Sequence, residues 1–432
     1  MAANVNETET KYDAPAGAGL PRLDRLPQVA AVSGPEQQRL EAEYYDTDEL
    51  RLLRAGITLR QRSGGDDAGW HLKLPLGHST RREIRRPLNG NVRGVPAELA
   101  SLVRVHTRGA PLRPVGGAAK LARALGDRLP EPEDPPRLTV SSPAGQVVLA
   151  YLRAQAGTLM SLDPLARMDE PDSVHQMRVA SRRLRATLRS FGHILRRDAT
   201  SGLAADLKWL GGVLGAARDG EVLDAHLRSR LRLAPVELRI GPVEARIHGH
   251  FASVRAAART ELLAALDSDR YFSLLDDLDR LLAEPPLTAK AASPGAGALP
   301  AAARRAARQA DRRMHRAWDA PAGQRRNEAL HLARKSARRA RYAAEAMTPA
   351  VGRKAARFAK RMKQVQSVLG EHQDSVIAAA QARHLGIGAH LAGENAFSYG
   401  LLCEQGICEG ERLQARARRL WKKASRRSCW PH

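Results

Sequence analysis

The chain has 432 residues, of which 43% are hydrophobic and 27% charged, so it can bury sizeable cores and is not a disordered polypeptide. Lysine and arginine total 70 against 46 acidic residues, and the net charge of +24 favours an anionic partner. No run approaches ~18 apolar residues and the first residues do not resemble a signal peptide. Three cysteines without a CxxC pair complete the case for a cytoplasmic protein that does not insert into a membrane.

The positive charge is unevenly placed along the chain. Residues 1–90 hold 13 basic and 13 acidic residues, so the whole excess lies in residues 91–432. Of the 70 cations, 59 are arginines, whose planar guanidinium can donate to two phosphate oxygens at once. A solvated basic surface produced by Arg-rich and Ala-rich coding is the alternative. The positions of the arginines on their helices decide between the two.

Apolar and polar residues alternate with period two near the N-terminus, which predicts an antiparallel sheet. Turn-forming residues such as the Gly-Gly-Asp-Asp run separate the segments. The predicted strands are residues 7–11, 40–46, 57–62, 70–74 and 81–88, followed by a helix at 96–106.

Charged residues share faces of these strands. Glu7, Glu9 and Lys11 are spaced i, i+2, i+4, so they point to one side. Paired carboxylates can hold Mg²⁺ or Mn²⁺, and a neighbouring lysine can contact a phosphate. Like-facing charges on successive strands indicate a polar-lined barrel interior, and a solvated sheet face is the alternative. The candidates are Glu7, Glu9 and Glu83 for metal, and Lys11, Arg60, Arg62, Lys73 and Arg81 for a triphosphate.

Five ordered motifs in this region resemble the CYTH domain of triphosphate tunnel enzymes. The resemblance implies a tunnel of about eight antiparallel strands, a Mg or Mn cofactor, and hydrolysis of triphosphates or adenylyl cyclase activity. The segment that would supply the later strands is missing between Arg108 and Leu125, so we predict a truncated, inactive, partial barrel with an open edge. The motifs are Glu7-x-Glu9-x-Lys11, Tyr44–Thr47, Leu59–Arg62, Leu72–Pro75 and Arg81-x-Glu83.

From Gln146 the pattern is helical, with a Pro/Gly/Ala-rich break at 284–301. Two motifs recur on both sides of that break in the same order, which predicts an internal duplication. The first, HxxRxxxRRxR, covers 175–185 and 331–341, an offset of 156. The second, a Lys followed by Val-Leu-Gly-x-x-x-Asp, covers 208–219 and 363–374, an offset of 155.

On a helix the first motif forms a cationic ladder. With about 100° per residue, the histidine and the following arginines fall within an arc of about 80°. No acid lies between His175 and Arg197, whereas ordinary amphipathic helices pair cations with acids one turn away. The ladder therefore predicts an anionic ligand, and a solvated face is the alternative. Its residues are His175, Arg178, Arg182, Arg185 and Arg189, then His331, Arg334, Arg338 and Arg341, and Lys335 lies beside the second arc.

The duplicated motifs resemble the CHAD domain, the conserved-histidine α-helical domain, over about residues 141–425. The resemblance implies two pseudo-symmetric four-helix bundles around a basic groove that binds inorganic polyphosphate. It also adds Lys208 and Lys363 to the candidate site. A CYTH domain followed by a CHAD domain is a known bacterial arrangement, so we expect a bacterial source.

The predicted fold is mainly α: a duplicated antiparallel helical bundle behind an N-terminal α+β partial antiparallel β-barrel. We expect a CYTH-like half-domain, a linker, a first helical repeat, a second linker and a second repeat. These occupy residues 1–125, 126–145, 146–283, 284–300 and 301–425.

Inorganic polyphosphate is the predicted ligand, bound without a cofactor and more tightly as pH falls through about 6.5, because histidine then gains charge. One alternative is a metal-dependent inorganic triphosphatase whose helical domain binds polyphosphate. Another is non-specific binding of nucleic acid, against which the few aromatic residues argue. A homodimer is a further partner to test, because a second copy could pair with the incomplete sheet.

Overall fold

A computed structural model describes residues 3–8, 29–31, 40–76, 80–88, 94–117, 137–426 and 430. The chain separates into two units, residues 1–134 and 135–432. The first contains an antiparallel sheet and the second is helical, which confirms the predicted fold class at this level.

Six strands of the N-terminal unit form one antiparallel sheet in the order β1-β5-β4-β3-β2-β6. Among the described residues of this unit, two helices accompany the sheet, and the first, of four residues, contacts the second. The elements are β1 (Ala3–Thr8), β2 (Glu41–Asp46), α1 (Arg51–Arg54), β3 (Thr58–Ser63), β4 (Gly69–Pro75), β5 (Thr80–Arg86), α2 (Ala97–Thr107) and β6 (Arg113–Gly117).

The two faces of the sheet differ in chemistry because side chains alternate along each strand. Leu59, Leu72 and Ile84 lie opposite one another on β3, β4 and β5 and are fully buried. On the other face the registers align Arg60 with His71 and Lys73 with Glu83. The period-two pattern thus separates an apolar face from a charged one.

The first strand begins earlier in the chain than predicted. Residues 7–11 were predicted to be extended, and the described part of β1 spans Ala3–Thr8, with Ala3 opposite Arg85 and Thr8 opposite Thr80. Pairing with β5 sets its start, and a local alternation pattern does not contain that information. Lys11 and Glu9 fall outside the described residues. The β6 strand was not predicted because proline and glycine are poor strand formers, yet an edge position tolerates them.

Asp46 explains one of the sequence motifs. Its Oδ1 accepts hydrogen bonds from the backbone N–H groups of Thr47 and Leu52, at 2.7 and 2.9 Å, and its Oδ2 accepts from Leu53 at 2.9 Å. The carboxylate satisfies N–H groups at the start of α1 that have no partner within the helix. The Tyr-Tyr-Asp-Thr motif at 44–47 is thus a strand-to-helix corner.

The C-terminal unit has two series of long helices. Within each series, consecutive helices are in contact, from α3 to α6 and from α9 to α12. This order agrees with the duplication, although two equivalent bundles remain a prediction. The helices are α3 (Ala144–Arg167), α4 (Ser173–Ser190), α5 (Arg197–Leu233), α6 (Val243–Leu266), α7 (Asp269–Ala283), α8 (Gly295–Ala298), α9 (Pro300–Asp319), α10 (Gln324–Val351), α11 (Arg353–Leu391) and α12 (Phe397–Ala424).

The two helical series share a core. Ile247 and Phe251 of α6 form one buried cluster with Tyr399 and Leu402 of α12. The segment between the series, predicted as a linker, is itself packed, because Gly295 N donates to Ser142 O at 2.9 Å. The series are therefore fixed relative to each other, which positions the ladders.

Candidate functional site

The two ladder helices pack against each other. α4 and α10 are in contact, and α4 buries Met177, Ala180 and Leu184, which recur at helical spacing on its apolar side. The arginines occupy a different side of α4. Their approach to the second ladder is close enough for the charges of Arg182 and Arg338 to act on each other.

A cavity of about 280 Å³ opens between these helices and α5. Seven cationic side chains line it, together with Ala186 and Tyr342, and no carboxylate of the described residues does. We call it the basic cavity. Six of its cations were predicted from sequence. The seven are Arg182, Arg185, Arg189, Lys208, Lys335, Arg338 and Arg339.

The cavity concentrates positive charge without neutralising it. Burial, then the charges of Arg178, Arg338 and Arg334, lower the pKa of Arg182 to about 9. Burial and neighbouring cations also lower the pKa of Arg338. Within the described part of the chain, none of the seven cations has a carboxylate within 4.0 Å. The Nε–H of Arg185 is buried and has no hydrogen-bond partner there. Such an arrangement is costly unless an anion fills it.

Arg178 lies in a different environment. Its Nη1 donates to Asp219 Oδ1 at 2.7 Å, and its Nη2 lies 3.4 Å from Oδ2. The counterpart Arg334 lies against Gly370, whose added Cβ would stand 3.1 Å from Arg334 Nη2. The second sequence motif therefore makes room for the first arginine of each ladder.

Four further predicted residues do not line the basic cavity. Arg341 is neutralised, because its Nε donates to Glu345 Oε1 at 2.6 Å. Lys363 is exposed on α11. His175 lines a separate cavity of about 460 Å³ that also contains Asp172 and Glu221. His331, the fourth, precedes Arg334 by one turn of α10.

Three lining residues of the cavity were not predicted from sequence: Ala186, Arg339 and Tyr342. Arg339 falls outside the ladder's arc, yet it lines the cavity and its Nη1 donates to Gln309 Oε1 at 2.9 Å. Tyr342 is buried beneath the guanidinium groups of Arg183 and Arg341, at 5.7 and 5.3 Å from its ring centroid. The doubled arginine in the motif was a signal for Arg339. Nothing in the local pattern indicated the tyrosine.

The two ladder histidines, His175 and His331, should become protonated at a lower pH than an unperturbed histidine does. Burial and nearby cations, led by Lys335, lower the pKa of His331, and burial and Arg218 lower that of His175 despite the opposing charge of Asp172. Both are therefore neutral at pH 7. A bound polyanion favours the protonated form of a nearby histidine, so we expect polyanion affinity to rise as pH falls from 8 to 5. The rise should be at most about tenfold per pH unit for each histidine protonated on binding.

Affinity measured by calorimetry across pH 8 to 5 tests this expectation. The control is the variant His175→Gln/His331→Gln, which should remain flat through the same range. Asp374 is a second group that could change affinity with pH. Burial raises its pKa, and its protonation would remove the negative charge that acts on Arg334. An equal rise in the variant would assign the pH effect to that carboxyl and not to the histidines.

The N-terminal sheet brings together predicted residues of the triphosphate and metal sites. Arg60, Lys73 and Glu83 lie on its charged face. Arg62 belongs to the same face by strand alternation and is paired with Asp67 at 2.6 Å. Arg81 lies opposite Glu7 in the β5–β1 register.

Glu83 does not fit a divalent cation. It is buried, its Oε1 lies 3.0 Å from His71 Nδ1 and 3.7 Å from Lys73 Nζ, and its Oε2 accepts from Arg85. Burial raises the pKa of Glu83, but the hydrogen bonds with His71 and Arg85 and the charge of Lys73 outweigh it and lower that pKa to about 2. The described residues contain no group of three His, Cys, Asp or Glu side chains arranged to bind a metal.

Comparison with known families accounts for both units. The CHAD domain family matches residues 150–383 and the CYTH domain family matches residues 6–124. The chain therefore belongs to the CHAD-domain family and carries a CYTH domain ahead of its CHAD domain. Both resemblances drawn from the sequence motifs are confirmed.

Two proteins of Mycobacterium tuberculosis are similar to this chain over nearly their whole length. The uncharacterized proteins MT2285 and Rv2226 are each 31% identical over an alignment of 508 positions, covering 96% of this chain and 96% of theirs. The alignment is longer than this 432-residue chain, so the relatives contain residues that it lacks.

Solved structures share the fold of the helical unit. PptA from Streptomyces chartreusis superposes with a TM-score of 0.54 at 24% identity, covering 65% of this chain and all of PptA. The CHAD domain from the plant Ricinus communis superposes with the same TM-score at 22% identity, covering 69% of this chain and 97% of that domain. Throughout the described residues, no helix is both long enough and apolar enough to cross a membrane.

Proposed function

We propose that this protein binds inorganic polyphosphate in the basic cavity. The observation that carries the proposal is the set of seven cations from α4, α5 and α10 around one cavity, without a carboxylate of the described residues to neutralise them. Guanidinium groups donate in pairs to phosphate oxygens, and a linear polyanion presents such oxygens at regular intervals. The family membership supports the same ligand, and no cofactor is needed for this kind of binding.

Nucleic acid fits the cavity less well. Proteins that bind single strands stack bases on accessible aromatic rings, and the aromatic ring of the cavity, Tyr342, is buried beneath arginines. A volume of about 280 Å³ also suits a thin chain without bases. Nucleic acid binding would therefore be non-specific and sensitive to salt.

A titration distinguishes these ligands. We expect long-chain polyphosphate to bind at ~0.3 M salt, where the Debye length is roughly 5 Å, and to resist excess duplex DNA. The measurement is fluorescence anisotropy of labelled polyphosphate with DNA or unlabelled polyphosphate as competitor. If DNA and unlabelled polyphosphate displaced the labelled polyphosphate at equal phosphate concentrations, the cavity would be a general basic surface without preference for polyphosphate.

We also propose that the CYTH domain does not hydrolyse triphosphate. The support is Glu83, a predicted metal ligand whose two carboxylate oxygens face His71, Lys73 and Arg85. We expect no phosphate release from tripolyphosphate with Mg²⁺ or Mn²⁺. Release that depends on metal and is lost in Glu83→Gln would instead support the alternative, an active triphosphatase.

A further inference from the structure

The first arginine of the α4 ladder is held by a carboxylate of the neighbouring helix. Arg178 is 16% exposed, whereas its partner Asp219 is 62% exposed. Both Nη atoms of Arg178 face the Asp219 carboxylate, and its Nε–H is buried with no partner among the described residues. The pair thus joins a nearly enclosed cation to an anion at the surface.

The geometry of α5 explains why the pair forms. A Cβ added to Gly215 would stand 2.7 Å from Arg178 Nη2, so the guanidinium lies against the backbone at this glycine. Asp219 comes four residues later, one helical turn along the same face. The Gly-x-x-x-Asp spacing therefore provides both a surface for the guanidinium and an anion at its end.

Arg178 also belongs electrostatically to the basic cavity. Its positive charge acts on Arg182 and on Arg338, two of the cavity's cations. It precedes Arg182 by one turn of α4 on the ladder. A polyanion leaving the cavity along α4 would reach Arg178 next, and would there meet Asp219.

We propose that Asp219 is a built-in competitor for the ligand: it occupies Arg178 in the empty protein, and a bound polyanion must displace it to extend its contacts along α4. The inference rests on the proposed polyphosphate function and adds a limit to it. The cavity binds first, and Arg178 becomes available only to a chain already held there at high local concentration.

The second ladder has no equivalent competitor. Within the described residues, no carboxylate lies within 4.0 Å of Arg334, and Asp374, which corresponds to Asp219 in sequence, acts on it through charge alone. The competitor is therefore specific to the first half of the helical unit. This asymmetry makes Asp219 testable separately from Asp374.

The test is polyphosphate binding by Asp219→Asn, which removes the negative charge but keeps the shape of the side chain. We expect about three- to tenfold tighter binding of long-chain polyphosphate, because Arg178 no longer exchanges one anion for another. The dependence of log affinity on log salt should become steeper by about one unit, the contribution of one further cation. A gain in affinity cannot result from misfolding.

Three further variants make the result decisive: Glu221→Gln, Arg178→Ala, and Arg178→Ala combined with Asp219→Asn. Glu221→Gln removes a similar charge two residues away on α5, from a glutamate paired with Arg218, and should change affinity less than twofold. In Arg178→Ala, adding Asp219→Asn should produce no gain, because the coupling between the two residues is lost. Equal gains in affinity in Asp219→Asn and Glu221→Gln, or unchanged affinity in Asp219→Asn, would overturn the proposal that Asp219 competes with the ligand. Failure of the unmodified protein to bind polyphosphate would instead overturn the proposed function.

Discussion

The variant Arg182→Ala/Arg338→Ala is expected to lose polyphosphate binding almost completely. The two arginines stand at the same position of the first motif in α4 and α10, and both line the basic cavity. A hydrogen bond to a charged group contributes about 1.5–3 kcal/mol, so losing one from each arginine removes roughly 3–6 kcal/mol. This corresponds to a rise in Kd of about 10²- to 10⁴-fold.

Titration calorimetry at ~0.3 M salt measures the loss. The control is Arg419→Ala/Lys422→Ala, which removes the same charge from exposed positions of α12. It should change Kd less than about threefold. Without ligand, the cavity variant should also melt at a higher temperature than the unmodified protein, because the lowered pKa values of both arginines show that folding disfavours their charged forms. A loss of binding accompanied by a lower melting temperature would indicate structural damage and not a missing contact.

Helical periodicity alone placed the centre of the candidate site. Arg182 and Arg338 were predicted because they fall on one arc of their helices, and a regular helix preserves that arc in the folded protein. Arg185 and Arg341 occupy the same motif position, yet only Arg185 lines the cavity. Glu345 lies four residues after Arg341 and neutralises it, a pairing that the sequence spacing already allowed.

Tertiary contacts explain what the sequence did not provide. Arg178 and Asp219 are 41 residues apart, and only the packing of α4 on α5 joins them. The register of β1 on β5 could not be predicted for the same reason, because the ends of a strand depend on the strand with which it pairs. Glu83 was predicted to be a metal ligand. In the structure its carboxylate forms ion pairs with Lys73 of the neighbouring strand and with Arg85.

Arg167→Ala is expected to destabilise the helical unit by about 3–5 kcal/mol. Asp163 is completely buried in α3, and Arg167 Nε lies 2.7 Å from its Oδ1. Arg167 also donates to Asp267 Oδ1 at 2.6 Å and to the carbonyl of Leu266 at 2.7 Å. Without the arginine, a carboxylate remains in the core without its principal counter-charge. Urea unfolding at pH 7 measures the change in the free energy of unfolding.

The pH dependence of that change identifies its cause. Burial raises the pKa of Asp163, and Arg167 opposes the rise, so removing the arginine raises the pKa further. A carboxyl whose pKa is higher in the folded state than in the unfolded state loses stability as pH rises. The destabilisation in Arg167→Ala should therefore shrink as pH falls from 7 to 5.

The double variant Asp163→Leu/Arg167→Met removes both charges and should lower the free energy of unfolding much less than Arg167→Ala does. If the double variant were equally unstable, lost packing would be the cause. Because α4 begins at Ser173, shortly after this pair, loss of the pair should also weaken polyphosphate binding by displacing the ladder.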